Sequence, residues 1–193
     1  MLLLLAAFVY GCETKNCHCP IDDAIVVEND NILQKTMSNA DFKRLWQKLD
    51  EPILFRQNKE TYRFFYRAPA NDFLRLYRIE KNINDYALYI KEFVVVDGDQ
   101  MTLKKNYSRK LSEPDWLETI QIIDNKCFWT MPLKREKSRS FDSTACIIEG
   151  FKPEGNNCTS TKYHYVEREK LENVPSFVDI IHAFEGLESK SSY

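Results

Sequence analysis

Between Glu60 and Ala68 the side chains alternate with period two. Tyr62, Phe64 and Tyr66 fall on one register, Arg63 and Arg67 on the other. Successive residues of an extended strand point to opposite faces, so this run reads as a strand with one apolar and one wet face. A single strand can neither satisfy its backbone nor cover its apolar side, and it needs neighbours. They follow at once. Pro69 to Asp72 reads as a turn, Phe73 to Glu80 as a second strand, and Tyr86 to Val96 as a third. After the Asp97-Gly98 turn, Met101 to Lys110 returns as a fourth. The four strands predict an antiparallel meander. Ser143 to Phe151 and Lys162 to Arg168 add a second hairpin, joined by a polar turn that contains Gly155, Asn156 and Asn157.

Helical patterns punctuate these strands. Ser38 is placed to cap a helix, with Asp41 in the capping-box position. Phe42, Leu45, Trp46 and Leu49 then form one apolar stripe, and Glu51-Pro52 ends it. Ser112 starts a second helix with Pro114 in its first turn, and Trp116, Ile120 and Ile123 on its buried side. Pro175 opens a third, packed through Phe177, Ile180, Ile181 and Phe184. Strand runs separated by single helices predict an α+β domain, an antiparallel sheet of about six strands with about three helices packed on one face. A closed barrel of lipocalin type needs about eight strands, more than the sequence offers.

The chain has 193 residues, the size of one ordinary domain. Its N-terminus reads differently from the rest. Leu2 to Tyr10 is an unbroken apolar run, shorter than the roughly 20 residues that span a bilayer and suited to an export signal. The run ends Val9-Tyr10-Gly11-Cys12, which resembles the lipobox of bacterial lipoproteins. In that family the cysteine is lipidated through its sulfur and becomes the mature N-terminus. The resemblance implies a signal peptide over residues 1–11 and lipidation at Cys12. The polar stretch that follows reads as a tether over 12–37, ahead of a folded domain over 38–188 and a frayed tail over 189–193. The lipobox resemblance also implies a lipid-anchored place in the bacterial cell envelope, the membrane being the partner. Ordinary secretion, with Cys12 free or disulfide-bonded, is the alternative.

With Cys12 lipidated, Cys17, Cys19, Cys127, Cys146 and Cys158 remain, an odd set whose connectivity the spacing leaves open. Cys17-His18-Cys19 is too tight for a structural zinc site, and disulfide pairing is the expected fate of cysteines in an exported chain. No metal or cofactor is expected. Lys plus Arg number 27 against 29 Asp plus Glu, which gives no reason to expect a nucleic-acid partner. The 5 glycines are scattered, so no phosphate-cradling loop is present. The 3 histidines form no metal-binding pair, and no serine sits in a nucleophile elbow. The basic stretch Lys134 to Arg139 reads as a solvated loop.

Short strings in the body carry a second resemblance. Glu60-Thr61-Tyr62-Arg63-Phe64, then Phe128-Trp129 with Pro132, Asp142, Ile147-Ile148-Glu149-Gly150, and Tyr163-His164 with Arg168 occur in the order seen in an uncharacterised group of bacterial exported proteins, many with lipobox signals. That group has no established activity, so the resemblance implies a compartment rather than a reaction. The polar residues of these strings, Glu60, Arg63, Glu149, His164 and Arg168, form the candidate cluster. Pairing Gly150 opposite His164 leaves room for the imidazole. The same register puts Cys146, Ile148, His164, Val166 and Arg168 on one face, and Glu149 and Tyr165 on the other. A His–carboxylate dyad from His164 and Glu149 is therefore disfavoured, and Glu149 is expected to pair with Arg63 instead. The expected function is a membrane-anchored binding domain without catalysis. A small-ligand carrier with an apolar cavity, or a hydrolase with a site assembled across the fold, are the alternatives.

Overall fold

A computed structural model describes residues 17, 31, 34–68, 73–96, 100–133, 145–155, 162–168 and 175–190. The strands are β1 (Thr61–Ala68), β2 (Phe73–Lys81), β3 (Tyr86–Val96), β4 (Gln100–Leu111), β5 (Ala145–Phe151) and β6 (Tyr163–Arg168). They form one antiparallel sheet in the order β4-β3-β2-β1-β5-β6. The meander forms as expected. The second hairpin docks against β1, so β1 lies inside the sheet with Arg63 opposite Glu149 on β5 and opposite Arg78 on β2. Among the described residues the bounded α-helices are α1 (Ala40–Lys48), α2 (Glu113–Asn125) and α3 (Pro175–Ser189), and residues 34–38 are helical as well.

The α+β class holds, but the helices divide between both faces of the sheet. On one face, α2, α3 and the 3-10 turn Phe128–Thr130 cover Tyr62, Phe64, Tyr77, Ile79, Leu88, Ile90, Ile148 and Val166. On the other, α1 and the 3-10 turn Leu54–Arg56 cover Phe65, Leu74, Leu76, Phe93, Ile147 and Tyr165. The reason is visible in pairs such as Phe64-Phe65 and Ile147-Ile148. Consecutive apolar residues put a hydrophobe on each side, and each side must be covered. The face of β1 that carries Arg63 is accordingly dry rather than wet, with Arg63 fully buried.

Local chemistry sets the helix ends. Asn39, not Ser38, caps α1, its side chain accepting from the Asp41 N–H at 2.8 Å. The Ser38 hydroxyl instead donates to the Gln34 carbonyl in the turn before. At the other end the Asp50 N–H donates to Gln47 O and the Glu51 N–H to Trp46 O, at 3.1 and 2.8 Å. This is the Schellman pairing, and Asp50 takes the left-handed position (φ 51°) that glycine usually fills. The bend throws Glu51 back toward the sheet. Ser112 caps α2 as expected, accepting from the Asp115 N–H at 3.2 Å.

Cys17, which the sequence placed in the tether, is bonded to Cys127 just beyond α2. Cys146 is reduced and buried, and burial pushes its thiol up to about 12, which leaves it inert near neutrality. The expectations for Cys12, Cys19, Cys158, the basic stretch 134–139 and the last residues 191–193 lie outside the described residues.

Candidate functional site

Side-chain alternation splits the five polar residues into three places. His164 and Arg168 lie on the α2–α3 face of β6. Gly150 pairs with His164 as expected. The room left by Gly150 is filled by aromatic rings, however. A methyl group there would meet Phe128 at 2.7 Å, Tyr62 at 3.1 Å and Trp129 at 3.2 Å. The His164 ring stands edge-on to Phe128, centroids 5.0 Å apart. Its Nε2 lies 3.2 Å from the Met131 carbonyl oxygen. Burial lowers its pKa to about 4, so the imidazole is neutral at pH 7 and donates through Nε2. Arg168 donates to the Pro132 carbonyl at 2.9 Å and to the Glu167 carbonyl at 2.8 Å. The two side chains together hold the segment that leaves the Phe128–Thr130 turn.

Glu60 sits at the end of the sheet, where it accepts from the Tyr62 hydroxyl at 2.9 Å. It touches neither of the other groups.

Arg63 and Glu149 form the centre of a larger assembly on the α1 face. Arg63 donates to Glu149 Oε2 from Nε at 2.7 Å and from Nη2 at 2.5 Å. The Tyr163 hydroxyl donates to Glu149 Oε1 at 2.5 Å. Arg63 and Arg78 are direct cross-strand neighbours, an arrangement that repels unless an anion intervenes. Glu51 supplies the anion. Its Oε2 accepts from Arg78 Nε at 2.9 Å and lies 3.5 Å from Arg63 Nη1, while its Oε1 lies 3.1 Å from Lys91 Nζ. Glu80 pairs with Arg78 and Lys59. The Lys91 ammonium also donates to the carbonyls of Leu49 and Asp50, at 3.1 and 2.6 Å, where α1 ends and its dipole is negative. Arg63 donates to the Pro52 carbonyl at 2.9 Å and stacks over Trp46 at 3.6 Å.

Arg63, Arg78 and Lys91 thus face Glu51, Glu80 and Glu149, and the charges balance. Burial pushes the Glu149 carboxyl above the ordinary range, while Arg63 and the Tyr163 hydroxyl pull it back. Burial and the neighbouring Glu149 carboxylate raise the Tyr163 phenol well above its usual value. Arg63 is 0% and Glu149 1% exposed, so a substrate has no approach to either. The assembly is a clamp between α1 and the sheet. Sequence reasoning found the Arg63–Glu149 pair but missed Glu51, Arg78, Glu80, Lys91 and Tyr163. Lys91 carried a signal: it is a lone cation after the apolar Leu88-Tyr89-Ile90 run, where only a buried partner would hold it.

His164 and Glu149 lie on opposite faces of the sheet, so no dyad forms. Cys17 spends its sulfur in the disulfide. Among the described residues no three His, Cys, Asp or Glu side chains are grouped to hold a metal. Two open concavities among the described residues lie elsewhere. An open groove of about 990 Å³ runs across one end of the sheet between Asn58–Glu60, the β2–β3 turn and the turn after β5, lined by Lys59, Lys81, Asn82, Ile83 and Lys152 among others. A smaller one of about 400 Å³ lies between α2 and α3. No helix among the described residues is long and apolar enough to cross a membrane. A scan against protein-family models, a search of curated proteins and a search of solved structures each find no match.

Proposed function

We propose that the chain is a lipid-anchored envelope domain that works by binding rather than by catalysis. The observation that carries the compartment is the Cys17–Cys127 disulfide. Such bonds persist where the surroundings are oxidising, as outside the cytoplasm. An apolar run that ends in Gly11-Cys12 is the matching export and acylation signal. Binding is favoured over hydrolysis because the buried ionisable groups are consumed in internal pairs. His164 is a neutral donor to a carbonyl, and the Cys146 thiol is inert. Binding on the surface is favoured over carriage within, because the sheet is open and both of its faces are filled with side chains. The large polar groove at the sheet end is then the natural contact surface.

Expression of the full chain in a bacterial host tests the anchor. Labelled fatty acid should enter the wild type and not Cys12→Ser, and the mature mass should begin at Cys12. Label that enters both forms equally, or a mature chain that retains Met1, removes the proposal.

A further inference from the structure

The disulfide also fixes which end of the domain the tether reaches. Cys127 follows α2, and Cys17 Sγ lies 3.1 Å from the carbonyl oxygen of Asp124 in the last turn of that helix. Asp124 Oδ1 is 3.6 Å from Nζ of Lys152, the residue just after β5. Thr61 at the start of β1 pairs with Phe151 of β5 and Glu80 of β2. The start of β1 and the ends of β2 and β5 therefore share one end with Cys17. The β2–β3 turn closes that same end, and at its tip Ile83 is 99% exposed. Val96, 45% exposed, terminates β3 at the opposite end. The 11 residues of β3 put the two ends about 35 Å apart.

We propose that the sheet end bearing Ile83 and the open groove is the face the domain lays on a bilayer, and that its partner is the lipid–water interface. The inference rests on the acylation of Cys12 proposed above. Five peptide units separate Cys12 from Cys17 and reach at most about 18 Å. A leash that short keeps the Cys17 end beside the headgroups, while Val96 lies a strand length away. Ile83 then stands where an apolar side chain is useful, at the depth where headgroups meet acyl chains. One isoleucine is too small to hold a domain alone, but a domain already tethered needs only orientation. The groove lining balances Lys59, Lys81 and Lys152 against Glu60, Asp85 and Glu154. The contact therefore needs no anionic lipid, and phosphatidylcholine suffices.

The test uses the full acylated chain in phosphatidylcholine vesicles that carry brominated acyl chains, which quench nearby indoles. Trp46, Trp116 and Trp129 are buried and supply the wild-type background. Ile83→Trp and Val96→Trp each add one exposed indole at one end of β3. The added emission of Ile83→Trp is expected to be quenched at least twofold more than that of Val96→Trp. Cys17→Ser, which frees the tether from the domain, should abolish the difference. Equal quenching, no quenching, or stronger quenching at Val96→Trp overturns the orientation. Intact mass separates the two failures. An acylated chain without the difference loses only the orientation, whereas an unacylated one loses the anchor and the orientation with it.

Discussion

Away from the exposed edge strand β4, the two faces of the sheet are both dry, yet they are built from different chemistry. Under α2 and α3 the contact is aromatic: Tyr62, Phe64, Tyr77, Phe128, Trp129, Phe177 and Phe184 pack in one cluster. Under α1 the apolar cluster surrounds a patch of balanced charge made by Glu51, Arg63, Arg78, Glu80, Lys91 and Glu149. Apolar contacts need no specific partner, because dispersion is not directional. Buried charges do, because each must find its partner or lose several kcal/mol. α1 is only 9 residues long, too short to hold itself in place by helical propensity. The ionic patch gives that helix one address on the sheet. Lys91 grips its C-terminal carbonyls, and Glu51 enters only if the chain turns back at Asp50.

The largest expected effect is on the ionic face. Arg63→Met leaves Glu149 and Glu51 buried without their shared cation and should cost about 3–5 kcal/mol in chemical denaturation. Adding Glu149→Leu to that variant should recover part of the loss. If the single and double variants are equally unstable, the patch is held by shape rather than by charge.

The second effect sets the aromatic face apart by its pH response. The folded pKa of His164 is depressed to about 4 from an ordinary 6.5, so protons bind the unfolded chain more readily than the folded one. The contribution is therefore fully present above pH 6.5 and lost as pH falls toward 4. The difference corresponds to about 3 kcal/mol. Denaturation curves across that window should show the loss, and His164→Gln should flatten it.

Gly150→Ala comes third. Its methyl group would press on the Phe128 and Tyr62 rings, and a loss of about 1–3 kcal/mol is expected. A thermal melt that leaves this variant unchanged would show the ring cluster to be looser than its geometry implies. The smallest change should stabilise. Asp50→Gly relieves the left-handed backbone and keeps the carbonyl that Lys91 uses, for a gain of about 0.5 kcal/mol. A loss instead would mean that the exposed Asp50 carboxylate, 3.6 Å from Lys91, matters to the patch.

Much of the aromatic face was legible in the sequence. The bounds of β3, the capping of α2 by Ser112 and the register of Gly150 against His164 all follow from local signals of period and capping. The Arg63–Glu149 pair was legible too, because alternation puts Glu149 on the face away from His164 and leaves an arginine of the meander as its partner; that β5 lies directly beside β1 was not. The ionic face was not. Glu51 enters from beyond a helix, and its role depends on a backbone turn at Asp50 that periodicity does not describe. Arg63 and Arg67 share one register, yet Arg67 is exposed and Arg63 is buried, a difference that alternation alone does not carry. Cys17–Cys127 closes a separation of 110 residues, and spacing alone favours no partner for Cys17.

The position of β1 in the sheet has a consequence for biogenesis. Its second neighbour, β5, supplies Glu149 to Arg63 across 86 residues of chain. During synthesis the meander is made first, with one flank of β1 unpaired and its arginine still facing water. Ordering across so long an interval is slow, because the loop must close before the pairing stabilises it. A polypeptide of this layout cannot complete its sheet until β5 has left the ribosome.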